Sequence, residues 1–170
     1  MSTIELPVAA PLNHPLLPPM AQLRRYRTDE AAELFEHLPA VPPGALRGDF
    51  RGRIFAVKGL QRLPRPLTAA LMWACQLPLP LWIGKRFGDI EGSNLWLFRT
   101  HPATFGHYAV KAATATQPLQ LDYDTPRNQN ALRAILGEVR QAGPELFLAR
   151  MLYRTKKCTV TVLYFTLSPW

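Results

Sequence analysis

The stretch ELFLARMLYRTKKCTVTVLYFTL, residues 145–167, decides the fold. It holds two β-prone runs around a polar break. In the first, Leu146, Leu148, Arg150, Leu152 and Arg154 alternate with Phe147, Ala149, Met151 and Tyr153. The second, Thr159 to Leu167, is rich in β-branched and aromatic side chains, which suit a pleated surface. Lys156-Lys157 lies between them, so the pair predicts a hairpin. Period two places Arg150 and Arg154 on one face with Leu148 and Leu152. If that face points outward, the leucines need a helix over them. If it points inward, the guanidinium groups need an anionic partner, because an unpaired buried charge is very costly.

Working back along the chain, the same period recurs. Pro118 to Tyr123, Gly106 to Ala113, Asn94 to Arg99 and Gly48 to Val57 each read as strands. That makes six strands, five of them after residue 90. Their connections are mostly short, which favours antiparallel pairing. Three segments read as helices. Thr28 caps the first, with Asp29 and Glu30 in its first turn and Pro39 after its end. Pro66 opens the second, over roughly 66–77, which carries Trp73. The third covers 126–141 on the stripe Leu132, Ile135, Leu136, Val139. The expected fold is mainly β (α+β): an antiparallel curved sheet or small barrel with two to three covering helices. Residues 1–23 form a Pro-rich arm and 24–170 a single domain.

Charge narrows the partners. Lys and Arg number 20 against 12 Asp and Glu, a formal net charge of +8. This balance favours nucleic acid, a membrane surface or an acidic small molecule. Aromatics interleave with Arg, but no RRM, OB or KH signature accompanies them, so nucleic acid is disfavoured. Cys75 and Cys158 form neither a disulfide framework nor a metal spacing. No basic stretch followed by an apolar run opens the chain, so a reduced, cytoplasmic location is expected. Leu67 to Gly84 is apolar over 18 residues, but Pro78 and Pro80 interrupt it. It reads as a buried helix followed by an extended piece. Contact with a membrane surface is the alternative.

Several groups could carry chemistry. Asp122 and Asp124 flank Tyr123 and could serve as acid or base, or simply meet an Arg. His107, with His101 beyond Phe105, could move a proton near neutrality. The run Gly84-Lys85-Arg86-Phe87-Gly88-Asp89 could cradle an anion, although it matches no phosphate-loop or dinucleotide pattern and reads as a plain loop. No zinc spacing exists, and no metal or cofactor is expected.

Gly48-Asp49-Phe50-Arg51-Gly52 resembles the opening strand of lipocalin-type barrels, and the helical segment 66–77 is similar to the helices that follow the first strand in intracellular fatty-acid-binding proteins. Phe50 stands where those families carry Trp, six strands are visible rather than eight to ten, and the 126–141 helix interrupts the run. This calycin-like resemblance implies binding of a hydrophobic small molecule or lipid with an anionic head. Arg150 and Arg154 would hold the head, Trp73, Trp82, Tyr108 and Tyr153 would line the cavity, and 67–83 would form a lid. One alternative is a cofactor-free isomerase, cyclase or lyase in the same cavity, using Asp122, Tyr123 or His107. The other is a peripheral membrane or protein-interaction module built on 67–83 and its flanks Arg62, Arg65, Lys85 and Arg86.

Overall fold

The computed structural model describes residues 16–59, 82–98, 100–114 and 117–170. Eight strands follow one another: β1 (Gly48–Val57), β2 (Trp82–Phe87), β3 (Glu91–Trp96), β4 (Ala103–Lys111), β5 (Leu119–Asp122), β6 (Ile135–Gly143), β7 (Leu146–Arg154) and β8 (Thr159–Pro169). Each pairs antiparallel with the next, and β1 pairs back onto β8, so the sheet is a closed barrel. Among the described residues three short helices accompany it: α1 (Met20–Leu23), α2 (Thr28–His37) and α3 (Asn130–Arg133).

The hairpin 145–167 forms as its period demands. Phe147 and Ala149 point into the barrel, with Met151 packed beside them, while Leu148 points out. The outward leucine receives its helix: Phe35 and Ala31 of α2 and Leu23 of α1 cover Leu148, Phe55 and Tyr164. Leu16 to Leu23, expected as part of an arm, are tied into this layer. Leu17 and Leu23 are buried, and the Leu16 N–H donates to the Ala142 carbonyl at 2.7 Å. The α2 cap differs in detail from expectation. Arg27 is the cap residue, and its backbone N–H donates to Glu30 Oε2 at 2.6 Å.

Two expected elements change type. The segment 126–141 is not one helix. Only Asn130–Arg133 is helical, and Ile135–Gly143 is a strand bonded on both sides, to β5 and β7. The stripe Leu132, Ile135, Leu136, Val139 fits period 3.6. However, Ile135 and Val139 also share a face at period two with Gly137 between them, and both pack in the barrel core. Glycine disfavours a helix interior and here lets the strand lie against Leu121, whose Cβ would be 3.0 Å from any Cβ at position 137.

The run 84–88 is likewise not a loop, because Trp82–Phe87 is strand β2. Gly84 serves close approach: a Cβ there would collide with the Phe50 carbonyl of β1. Adding β2 and β6 brings six expected strands to eight. The expected helix 66–77, its Trp73 and the remainder of the 67–83 lid before Trp82 lie outside the described residues.

Aromatic rings pack closely at one end of the barrel. Phe50 meets Phe87 and Phe147 edge-on with ring centres 5.5 and 5.7 Å apart, and Val41 and Leu46 close over them. At the other end Ile54, Trp82, Ile135, Met151 and Leu163 are only half-buried. Gly84→Ala should lower the unfolding free energy by ~2–4 kcal/mol in denaturant titrations, since backbone, not a flexible side chain, occupies the space. An unchanged midpoint would refute the close-approach account.

Candidate functional site

Strand parity places Lys85 inside. It shares a face with Phe87 on β2 and stands opposite Phe50 of β1 and Asn94 of β3. Arg86, one residue on, faces out and pairs with Asp49 at 2.6 Å. Lys85 is only 3% exposed. Its Nζ donates to Asn94 Oδ1 at 2.7 Å and to the Tyr123 hydroxyl oxygen at 2.5 Å. The Tyr123 hydroxyl in turn donates to Asn94 Oδ1 at 3.1 Å. Four aromatic rings surround the nitrogen, with centres 4.7 Å (Tyr108), 5.2 Å (Tyr123), 5.6 Å (Phe165) and 5.9 Å (Trp82) away. Such distances allow ring quadrupoles to stabilise the ammonium form. Among the described residues no carboxylate pairs with Lys85.

Burial decides the protonation balance. Removing an ammonium from water disfavours its charge, and Lys85 is lowered from 10.5 to about 7. Burial also pushes the Tyr123 hydroxyl up, although its Asn94 hydrogen bond opposes this, so the phenol stays protonated at neutral pH. The barrel thus holds an amine divided between two states beside a fixed hydroxyl.

The neighbours of this amine are positioned by backbone irregularities. Gly106 has φ +78° at a bulge between β3 and β4, and a Cβ there would be 2.7 Å from the Asn94 amide nitrogen. Asn128 accepts the His107 N–H at 2.9 Å and donates to the carbonyls of His107 and Tyr123 at 2.6 and 2.8 Å. It therefore staples the segment carrying Tyr123 to β4. The Tyr108 hydroxyl donates to the Arg86 carbonyl at 2.9 Å, which fixes its ring under the Lys85 nitrogen.

Of the residues singled out in the sequence, Trp82, Tyr108 and Tyr123 come together around this point. The others do not. Arg150 lies on the outer face with its Nε 2.6 Å from Glu138 and its Nη1 2.7 Å from Glu36, stacked at 4.3 Å on the Phe35 ring. Arg154 bonds Asp122 at 3.1 Å, and Lys111 reaches the same carboxylate at 2.7 Å. Burial raises Asp122, but Lys111, the Asp124 N–H and Arg154 outweigh it and hold the carboxyl below its usual range. Asp124 pairs with Arg133 at 2.7 Å. His107 precedes inward Tyr108 and so faces out, near the Arg127–Glu91 pair; partial burial, then Arg127, lowers it. Tyr153 is 38% exposed and Trp73 lies outside the described residues.

Asn94 is the residue that the sequence reading does not single out, and Lys85, read there as part of a loop or a membrane flank, is instead an interior strand residue. The clue was parity: Lys85 alternates with Arg86 and falls in phase with Phe87. A separate groove of about 410 Å³ between α2 and β8 is lined by Arg27, Thr28, Lys58, Thr159, Thr161 and Tyr164, away from this interior.

No family model and no curated protein matches the chain. A crystal structure of a protein from Thermomonospora curvata is similar, with TM-score 0.58 at 19% identity over 89% of this chain and 93% of that one. At this identity the likeness speaks to the barrel fold alone.

The lowered Lys85 value carries a stability consequence. The unfolded chain binds that proton up to pH 10.5 and the folded chain only to about 7, so stability rises with pH between these values. Relative to Lys85→Met, the wild type should therefore gain on the order of 3 kcal/mol between pH 6 and pH 10. Urea unfolding of both proteins across that range measures it, and parallel curves would show that Lys85 is not desolvated.

Proposed function

We propose that the barrel binds a hydrophobic small molecule or lipid bearing an anionic head, with Lys85 as the charge that meets the head. One observation carries the reading: a buried amine, ringed by aromatic faces, that no carboxylate neutralises among the described residues. Small-molecule sites are mostly apolar with a few placed polar groups. The half-buried Ile54, Trp82, Ile135, Met151 and Leu163, packed against the same core, would line the place of an apolar tail. Asn94 and the Tyr123 hydroxyl supply fixed hydrogen-bonding groups beside the charge.

The calycin-like reading of the sequence is part of this proposal, with its anchor moved. Arg150 and Arg154 have carboxylate partners on the outer face, whereas Lys85 has none among the described residues. The isomerase alternative retains Tyr123 within the barrel but finds Asp122 held by two cations. For the membrane alternative, Lys85 is interior rather than a surface flank, and no described helix is long and apolar enough to cross a bilayer.

An anion that binds ammonium takes up a proton with it, so affinity should fall as pH rises above 7. For cis-parinaric acid followed by fluorescence, the dissociation constant should rise roughly tenfold per pH unit between pH 7.5 and 9. Lys85→Met should weaken binding at pH 7 and flatten this slope, while Arg150→Ala leaves both unchanged. Equal affinity in wild type and Lys85→Met at every pH would end the proposal.

A further inference from the structure

We infer that Lys85 captures carbonyl groups: its Nζ, held between Asn94 and Tyr123 inside the barrel, forms a reversible imine with an aldehyde carried on an apolar chain. The inference rests on the reading that the interior admits an apolar chain, and it changes what the head group is.

The geometry supplies what the reaction needs. An amine attacks a carbonyl only through its lone pair, so it must be deprotonated without being removed from the substrate's path. A lysine paired with a carboxylate stays ammonium. Lys85 is instead bonded to two neutral groups, and the burial that surrounds it with rings favours the free base. Four aromatic faces within 6 Å present an apolar wall to the substrate. Asn94 Oδ1 accepts from the amine at 2.7 Å and so restrains its orientation. The Tyr123 hydroxyl, 2.5 Å from Nζ, can turn its proton toward a new oxygen on the substrate.

The step balances without any redox partner. The Nζ lone pair forms the N–C bond while the carbonyl π pair moves to oxygen, giving a carbinolamine after proton transfer from nitrogen to oxygen. The nitrogen lone pair then expels that oxygen as water as the Tyr123 hydroxyl gives it a proton, and the second N–H proton passes to the Tyr123 oxygen to leave the C=N bond. One aldehyde and one amine yield one imine and one water. Tyr123 stabilises the developing charge on oxygen and ends the cycle as it began. Water returning to the site reverses the sequence, so the bond is a hold rather than a dead end.

The test uses the full chain at pH 7 with decanal and cyanoborohydride, which reduces an imine to a stable secondary amine. Intact mass should show one decyl addition, and peptide mapping should place it on Lys85. A lysine side chain free in water is almost wholly protonated at this pH. Lys85 should therefore react on the order of a hundredfold faster. Lys85→Met should lose the fast addition, and the wild-type map carries the result even if that variant misfolds. Decanoate, which cannot form an imine, is titrated in parallel. Decanoate binding with decyl groups scattered over surface lysines would overturn the imine and leave the anion reading standing. Fast capture at Lys85 supports the imine whether or not decanoate binds, and in the second case the anionic head is the part that fails. Neither binding nor capture would overturn both.

Discussion

Closure of the sheet is the constraint on which everything else rests. Pairing of β1 with β8 gives each strand a hydrogen-bonded neighbour on both sides, so the sheet has no edge. It also divides every strand into an inward and an outward set of side chains. Inside, Phe50, Phe87 and Phe147 pack edge-on toward one end, and Trp82 packs edge-on against Phe165 toward the other. Outside, Arg150, Arg154, Arg86 and Arg133 each find a carboxylate. These paired arginines of the described residues thus lie outside the barrel. The one inward lysine of the described strands is set apart from them by the barrel wall.

That separation gives Lys85 its chemistry. A lysine on the outer face would sit in water among carboxylates and remain a fixed charge. The same side chain inside meets two neutral hydrogen-bonding partners and four rings. The ammonium and the free amine then differ little in free energy near neutral pH. Either state is useful to a ligand, the first for an anion and the second for a carbonyl carbon. The supporting devices, the Gly106 bulge and the Asn128 staple, lie in strand β4 and in the turn after β5, so β3, which carries Asn94, β4 and the turn after β5 converge on one nitrogen.

Much of the fold was legible because period two is a strong signal where strands alternate cleanly. The hairpin 145–167 and strand Gly48–Val57 formed as read, and the outward leucine found its helix. The losses came where one residue has two meanings. Gly84 and Gly88 read as part of a loop, yet Gly84 is a contact between backbones. The 135–139 stretch satisfies both helical and strand spacing, and only its two flanking strands decide between them. The site was less legible than the fold. Trp82, Tyr108 and Tyr123 were visible as aromatics, but Lys85 was hidden by the loop assignment of its own strand. Arg150 and Arg154 drew attention through spacing, although spacing does not say which face of a sheet is the inside.

The layer formed by α1 and α2 bears on how the molecule is made. Phe35 and Leu23 pack against Phe55 of β1 and Tyr164 of β8, the two strands of the seam, which are more than a hundred residues apart in the chain. A growing polypeptide emits the helices and β1 early but receives β8 last. Until then the helical layer lacks half of its contact surface and β1 lacks one partner. Closure carries the largest loop-entropy cost of any strand pairing in the barrel, and assembly of the helical layer coincides with it. The last eleven strand residues are therefore the latch for both layers at once.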